Sequence, residues 1–431
     1  MAQATPDDLG WLTAVQVFEE VRSGRLDRQA VLKAHLERIR RLDVKVHAYT
    51  HVDERAQAGA GALTGSTLAV KDTQPVAGMP WTYGSPVWRD RVAERDAIAV
   101  GRARTAGAAV VGKTNTPELA ASIGTSNTLF PPTENPWRSG FTPGGSSGGS
   151  GAAVAAGLCT VAFGDDMGGS IRIPASCCGV VGLRPSPGRV PTEVPDPTRL
   201  SVRGPLARSV DDTRLLLSVM CNEPGPATQP RQLRVAVADS SPLGVHESCQ
   251  AATQRAASAL ERLGHRLKAV PWDPQPVADA YRVVRPVSMA GFPGEVVEYG
   301  EAVRGLIGQG RTTSGRDFYL ALQAGMAAAG WLNRLLEEHD LILTPTLGDP
   351  PMAIAEVPTF LAAGWDRYTQ FTLPISFAGL PAISIPAGLE QGLPVGVQLV
   401  GRYRHDWQLL DAAEMLEASP GFGFQRPPGF D

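Results

Sequence analysis

Several features that mark other classes of protein are scarce in this chain of 431 residues. It has five cysteines and no Cys-x-x-Cys pair, which argues against a disulfide framework, a zinc ribbon or a thioredoxin-like site. Its longest nearly apolar run, residues 151–164, is too short to span a bilayer. No basic segment followed by an apolar one opens the sequence, so no signal peptide is predicted. These absences predict a cytoplasmic protein without a membrane partner.

Strong charge of either sign is also lacking. Lysine and arginine number 40, aspartate and glutamate number 43, and the net charge is −3 with both signs interspersed. No basic stripe or polybasic block is present that would attract nucleic acid or an acidic membrane surface. We therefore expect no nucleic-acid partner.

Apolar periodicity predicts alternating helices and strands along the chain. Helices are predicted at residues 13–21, 28–42, 97–106, 152–158, 210–220, 247–263, 316–338 and 407–416, and strands at residues 67–70, 108–111, 160–163, 233–238, 341–343, 382–385 and 396–400. Residues 222–231 are predicted to be a Pro-rich connector. The alternation predicts an α/β fold whose sheet is covered by helices on both faces.

Glycine is the one residue type in excess, and it is concentrated. Residues 144–182 contain 11 glycines in 39 positions, which indicates backbone that turns unusually or approaches another group closely. Serines 146, 147, 150 and 170 lie among these glycines, whereas no histidine lies between residues 52 and 245. A distant histidine base remains possible in principle, but a lysine with a lowered pKa is an alternative. Lys71, at the end of an apolar run, is either such a base or an ordinary surface lysine.

Three generic patterns in this region are better explained structurally. Residues 107–114 match the P-loop pattern, but a predicted strand fills the loop, which argues against ATP binding. Residues 144–148 match the nucleophile elbow, but a turn-rich segment rather than a strand precedes them. Nothing in the sequence marks Cys177 or Cys178 as a thiolate, so both are predicted to be buried structural cysteines.

Five ordered segments carry a resemblance to a known family. They are AVKD at residues 69–72, GKTNTPE at 112–118, PGGSSGG at 143–149, GGSIRIP at 168–174 and CGVVGLRP at 178–185. In this order and spacing the chain resembles the amidase signature family, and C-terminal segments at 341–346, 379–382 and 392–398 continue the likeness. The resemblance covers essentially the whole chain and is weakest over residues 190–330.

The resemblance implies a Ser-cisSer-Lys triad that needs no metal and no organic cofactor. Ser170 would be the nucleophile, Ser146 the bridging serine that follows a cis peptide bond, and Lys71 the base. In addition, the resemblance assigns an oxyanion hole to the backbone amides of Met167, Gly168, Gly169 and Ser170. Supporting roles would fall to Ser147, Asp166, Arg172 and Gly145.

The resemblance also implies one large α/β domain over residues 1–431, built on a mixed, twisted sheet with helices on both faces. Within it we expect an N-terminal helical segment (1–65), a catalytic core (66–210), a variable substrate-side region (190–330) and a C-terminal part of the same sheet (331–431). Relatives often dimerise, which leaves a homodimer as an option. Two departures from the family pattern, Asp165 and Ser376, leave the subfamily open, and Asp165 is expected to raise the pKa of Lys71.

The implied function is hydrolysis of a small-molecule amide through an acyl-enzyme. A carbamate (urethane) or ester hydrolase with the same triad is one alternative, and the glutaminase component of a tRNA-dependent amidotransferase complex is another. The exact substrate is not readable from the sequence. Apolar and aromatic residues in the variable region point to an apolar or aryl acyl group or, equally, to core packing: Tyr281, Met289, Phe292 and Tyr299.

Overall fold

One large β-sheet organises the part of the chain that the computed structural model describes, residues 5–226 and 231–430. Its strands are β1 (Tyr49–Val52), β2 (Thr67–Lys71), β3 (Ala109–Thr114), β4 (Val161–Asp166), β5 (Val181–Arg184), β6 (Val202–Ala207), β7 (Arg234–Val237), β8 (Arg266–Ala269), β9 (Leu341–Pro345), β10 (Ala382–Glu390) and β11 (Leu393–Val400). They are ordered β1-β3-β2-β4-β6-β5-β10-β11-β9-β7-β8. The sheet is mixed, because β2 runs parallel to β3 and β4, and β7 runs parallel to β8 and β9, while the other pairs are antiparallel.

Helices connect and cover these strands. They are α1 (Pro6–Gly10), α2 (Ala14–Arg22), α3 (Ala30–Leu42), α4 (Ile98–Thr105), α5 (Gly148–Ala155), α6 (Arg172–Cys178), α7 (Val210–Cys221), α8 (Glu247–Arg262), α9 (Gln275–Ala290), α10 (Glu301–Thr312), α11 (Gly315–Glu338), α12 (Val357–Ala363), α13 (Asp366–Thr369), α14 (Leu373–Phe377) and α15 (Asp406–Glu417). Within the described residues, none of these helices is both long enough and apolar enough to cross a bilayer.

The two-residue period of the strands separates the core into two layers. In β2, Leu68 and Val70 face a layer formed by α4, α7, α8 and α15, whereas Ala69 between them faces a layer that contains α3 and α5. Neighbouring strands repeat the alternation, since successive side chains of a strand point to opposite faces. This arrangement confirms the predicted α/β class, a single domain with a large mixed sheet flanked by helices on both faces.

Each predicted helix and strand has a counterpart in the structure, but some elements were missed. The β10–β11 hairpin is longer than expected, and the elements that were not predicted are strands β1, β5, β6 and β8 and helices α1, α6, α9, α10, α12, α13 and α14. Helix α5 begins at Gly148, four residues before its predicted start, although glycine has low helix propensity. Glycine is required in this first turn, because a side chain at Gly149 would meet backbone atoms of Asn115 and Ala48. In the predicted connector, residues 227–230 lie outside the described residues.

The topology brings two strand ends together near the middle of the sheet. Strands β2 and β4 are parallel neighbours, so their carboxyl ends lie at the same edge, where α/β proteins place their ligands. Lys71 is the last residue of β2, and Asp165 and Asp166 are the last two of β4. Ser146 and Ser170 precede the nearby helices α5 and α6. The glycine-rich segment therefore surrounds this edge.

Candidate active site

Lys71 is the centre of a buried polar cluster at the edge where β2 and β4 end. Its Nζ donates a hydrogen bond of 2.7 Å to Ser146 Oγ and contacts the carboxylate of Asp165 as an ion pair. The Lys71 side chain is fully buried, and the Asp165 side chain is 20% exposed. The structure thus brings together two members of the predicted triad and the carboxylate that departs from the family pattern.

Burial lowers the pKa of Lys71, because an ammonium group loses solvation inside the protein. The Asp165 carboxylate opposes this by favouring the charged form, and so does Asp166, while Arg285 acts in the same direction as burial. The amine is therefore easier to deprotonate than a surface lysine. A neutral amine is what a general base requires.

The segment before α5 holds Ser146 and Ser147 against the other parts of the site. The peptide bond between Gly145 and Ser146 is cis. A side chain at Gly145 would come within 2.7 Å of the Ser122 carbonyl oxygen, so only glycine fits at this close approach. Ser147 donates its backbone N–H to the Ser170 carbonyl at 3.1 Å and its hydroxyl to the Asp165 carbonyl at 3.2 Å. Ser147 therefore links the two serine-bearing segments.

Ser170 lies at the surface of a cavity that it shares with Ser146. It is partly exposed, unlike the buried Ser146, and both line the cavity. Among the described residues, no hydrogen bond joins the two hydroxyls. The structure therefore shows the Lys71–Ser146 contact directly and places Ser170 in the same cavity.

Asp166 holds the loop that carries Ser170. Its carboxylate accepts hydrogen bonds from the Gly169 amide at 2.9 Å and from Arg172 Nε and Nη2, each at 2.9 Å. Arg184 also contacts it, at 3.3 Å. Burial would raise the pKa of Asp166, but the two guanidinium groups and the hydrogen bonds hold it well below its usual range. A charged, multiply bonded carboxylate thus fixes the loop.

The Asp166–Arg172 pair is anchored in turn to the C-terminal part of the chain. Arg172 donates to Gln398 Oε1 at 3.2 Å and to Ser376 Oγ at 3.1 Å. Ser376, a departure from the family pattern, therefore contacts a predicted supporting residue. Thr372 donates its hydroxyl to the Gly168 carbonyl at 2.7 Å. These contacts explain how a segment 200 residues away in the chain steadies the loop.

The backbone amides predicted to form an oxyanion hole divide into two groups. Met167, Gly168 and Ser170 line the cavity. Gly169 does not line it, has a φ of +126°, and donates its amide to Asp166. Its geometry is one that favours glycine. The Gly169 amide therefore holds the loop, and the other three residues are the ones that line the cavity.

The cavity has a volume of about 230 Å³ and a largely apolar wall. Tyr281, Met289 and Phe292, singled out from the sequence, line it. Tyr299 does not line it and is instead buried in a cluster with Leu119 and Met289. Tyr299 is therefore a core residue.

Other residues of the cavity wall were missed by the sequence. They include Tyr83, Trp365, Arg285 and Ser288. Tyr281, Arg285, Ser288 and Met289 follow the spacing of one helix face on α9, so this stripe was a readable signal. Tyr83 and Trp365 come from distant loops, and only the fold brings them there.

Thiol and metal chemistry have no counterpart around the cluster in the described residues. Burial raises the pKa of Cys177 to about 12 and raises that of Cys178 well above its ordinary value, so neither is a reactive thiolate at neutral pH. Within residues 5–226 and 231–430, no three histidine, cysteine, aspartate or glutamate side chains are grouped as metal ligands.

Comparison with known proteins gives one consistent family. The family model described as Amidase matches residues 30–410. A Mycobacterium tuberculosis protein named as an amidase, AmiB2, is 35% identical, and the match covers 98% of this chain and 99% of that protein. An indoleacetamide hydrolase of Bradyrhizobium diazoefficiens is 32% identical over 95% of this chain and 86% of its own. The solved structure of 6-aminohexanoate cyclic dimer hydrolase is similar with a TM-score of 0.88 at 30% identity, covering 98% of this chain and 100% of that one.

Proposed function

Because the chain belongs to the amidase signature family and is thus an amidase, a hydrolase of carbon–nitrogen amide bonds, we propose that it works through an acyl-enzyme formed on Ser170. Ser146 relays protons and Lys71 is the base. The observation that carries the proposal is the 2.7 Å hydrogen bond from the buried Lys71 amine to Ser146, beside the cavity that Ser170 lines.

The first half of the reaction forms the acyl-enzyme. Neutral Lys71 takes the proton of Ser146, and Ser146 takes the proton of Ser170 as Ser170 Oγ attacks the carbonyl carbon. The negative charge that develops on the carbonyl oxygen is stabilised by the amides of Met167, Gly168 and Ser170. Ser146 then gives a proton to the leaving nitrogen and recovers one from Lys71. The C–N bond breaks, the amine departs, and the acyl group remains as an ester on Ser170.

The second half restores the enzyme. Water enters after the amine has left, gives its proton through Ser146 to Lys71, and attacks the ester carbonyl. Collapse of the tetrahedral intermediate breaks the bond to Ser170 Oγ, which takes back a proton through the same relay. The products are a carboxylic acid and an amine.

The proposed substrate is a small molecule, because the cavity is small and its wall is formed by aromatic and aliphatic side chains. A carbamate or an ester would pass through the same acyl-enzyme and remains the alternative. The glutaminase alternative passes through the same acyl-enzyme, and glutamine is therefore one of the substrates to be compared.

Active-site labelling tests the proposal directly. A fluorophosphonate is expected to modify Ser170 in the wild-type chain, as located by peptide mass spectrometry, and Ser170→Ala should abolish both labelling and turnover. Modification of Ser147 instead would assign the nucleophile elsewhere. A panel of aliphatic and aryl amides, carbamates, esters and glutamine then separates the alternatives by relative kcat/KM.

A further inference from the structure

Arg285 is a buried cation in the wall of the cavity. It lies on α9, is 7% exposed and lines the same cavity as Ser170. Tyr281, Ser288 and Met289 on the same helix face also line the cavity, and none of them carries a charge that could balance Arg285. An arginine in such a place is unusual, since arginine is almost never buried without a partner.

The partners of Arg285 within the protein do not satisfy it. Its Nη2 donates to the Ala120 carbonyl at 2.7 Å, and its Nη1 lies 3.6 Å from Met167 Sδ, a weak acceptor. Its Nε is buried and has no hydrogen-bond partner in the described part of the chain. None of the ion pairs formed there includes Arg285, so the guanidinium group keeps unused donors and an uncompensated charge.

Unlike Arg285, other buried arginines of the site form ion pairs with a carboxylate. Arg172 and Arg184 are fully buried, and both meet the carboxylate of Asp166. The carboxylates that line the cavity are already engaged, since Asp165 contacts Lys71 and Thr73 and Asp196 accepts hydrogen bonds from Thr198 and the Ser201 amide. Leaving a buried charge unpaired is strongly unfavourable. No carboxylate of the described residues pairs with Arg285, so the structure leaves room for an anion from outside the chain to complete its environment.

We propose that Arg285 binds a carboxylate carried by the substrate, so that the preferred substrates are amides of apolar skeleton with an ionised carboxyl group. This inference rests on the proposed function, because it places that carboxylate in the cavity beside Ser170. Carboxylate is the group that matches the planar fork of a guanidinium and pairs with it most strongly. The aromatic and aliphatic wall accommodates the hydrocarbon part of the substrate.

The carboxyl group can belong to the acid part or to the amine part of the amide, and two substrate series distinguish these. One series consists of monoamides of dicarboxylic acids of increasing length, each beside the methyl ketone that replaces its carboxylate. The other consists of N-acyl amino acids, each beside the corresponding N-acyl amino alcohol. In at least one series we expect the wild-type kcat/KM for the carboxylate to exceed that for its neutral counterpart by about tenfold or more.

Variants assign that preference to the residue. Arg285→Gln is expected to lower kcat/KM for the carboxylate substrates about tenfold more than for their neutral counterparts, each compared at the pH optimum of the variant because Arg285 also lowers the pKa of Lys71. Arg285→Lys should keep part of the preference, as a single point charge would. The control is Arg282→Gln, on the same helix, since Arg282 is exposed and pairs with Asp279 and Asp366. It should leave the preference unchanged.

Two results would overturn the inference. One is a wild-type preference for the neutral compounds in both series, and the other is an equal loss on charged and neutral amides in Arg285→Gln, which would make Arg285 a support for Met167 or Lys71. If Arg285→Gln does not fold, the wild-type protein is used instead. Each carboxylate compound and its neutral counterpart are then compared for how well they protect Ser170 from the fluorophosphonate. If the fluorophosphonate labels Ser170 but the carboxylate compounds protect it no better than their neutral counterparts, this inference fails and the proposed function stands. If Ser170 is not labelled at all, the proposed function fails.

Discussion

Two buried lysine–aspartate pairs lie on neighbouring strands of the sheet and differ in where their hydrogen bonds end. Lys71 on β2 pairs with Asp165 and donates to the Ser146 hydroxyl. Lys113 on β3 pairs with Asp72 and donates to the Pro80 carbonyl, at 2.9 Å in both contacts. Burial lowers the pKa of both lysines. One pair thus ends at a group that can react, and the other ends at backbone that cannot.

The aspartates of the two pairs show the same division. Each accepts a hydrogen bond from a threonine hydroxyl, Asp165 from Thr73 and Asp72 from Thr82. The Asp72 side chain is only 1% exposed, whereas that of Asp165 is 20% exposed and lines the cavity. A buried lysine–aspartate pair is therefore not by itself a sign of catalysis. What distinguishes Lys71 is a hydroxyl acceptor beside a cavity.

The largest expected effect comes from replacing the two lysines by methionine, which has a similar length. Lys71→Met should lower kcat by about 10⁴-fold, because it removes the proposed base. Steady-state kinetics measure this, with Ser170→Ala as the inactive reference. Lys113→Met, corrected for the folded fraction, should retain kcat within about threefold. Comparable losses of kcat in the two variants would contradict the distinction between a catalytic Lys71 and a structural Lys113.

Stability should fall more in Lys113→Met than in Lys71→Met, the reverse of the order expected for activity. Lys113→Met leaves Asp72 charged and buried without a counter-ion, so we expect the free energy of unfolding to fall by about 3–5 kcal/mol. Denaturant unfolding measures the change. The double variant with Asp72→Asn should recover part of the loss, since the uncompensated charge is then gone. A double variant no more stable than the single one would show that Lys113 contributes through packing.

The pH dependence separates the two aspartates. The proposed mechanism requires neutral Lys71, so activity is expected to rise with pH through the pKa of that lysine, and Asp165 raises this pKa. Asp165→Asn should therefore move the acidic limb of the kcat/KM profile to lower pH, by about 1 unit or more. Asp72→Asn is the control and should leave the limb in place. A shift to higher pH in Asp165→Asn would contradict the assigned effect of Asp165.

The smallest expected effect concerns the threonines. Thr82→Val removes a hydroxyl from a carboxylate that is fully buried, which should lower the free energy of unfolding by about 1.5–3 kcal/mol. Thr73→Val should lower it by less, because solvent reaches Asp165 and replaces part of the lost hydrogen bond. Thermal and denaturant unfolding of the two variants provide the comparison. A larger loss at Thr73 would argue against the exposure of Asp165.

The sequence predicted much of the fold because the apolar periodicity of the strands and helices is strong. It also predicted that Lys71, Ser146, Asp166 and Arg172 belong to one site, through the order of the motifs. It could not show that Gly169 donates its amide to Asp166, since that depends on the path of a loop. Nor could it show that Tyr299 lies behind the cavity wall rather than in it.

The sequence by itself determined the alternation of helices and strands, the concentration of glycine around the serines, and the position of Lys71 at the end of an apolar run. Only the tertiary structure decided which lysine meets Ser146. In the pairing of β2 and β3, Val70 lies opposite Lys113, and Lys71 lies opposite Thr114. Successive side chains of a strand point to opposite faces, so the two lysines are directed to opposite sides of the sheet. A shift of one residue in that register would turn the side chains of one strand to the other face and bring both lysines to the same side of the sheet.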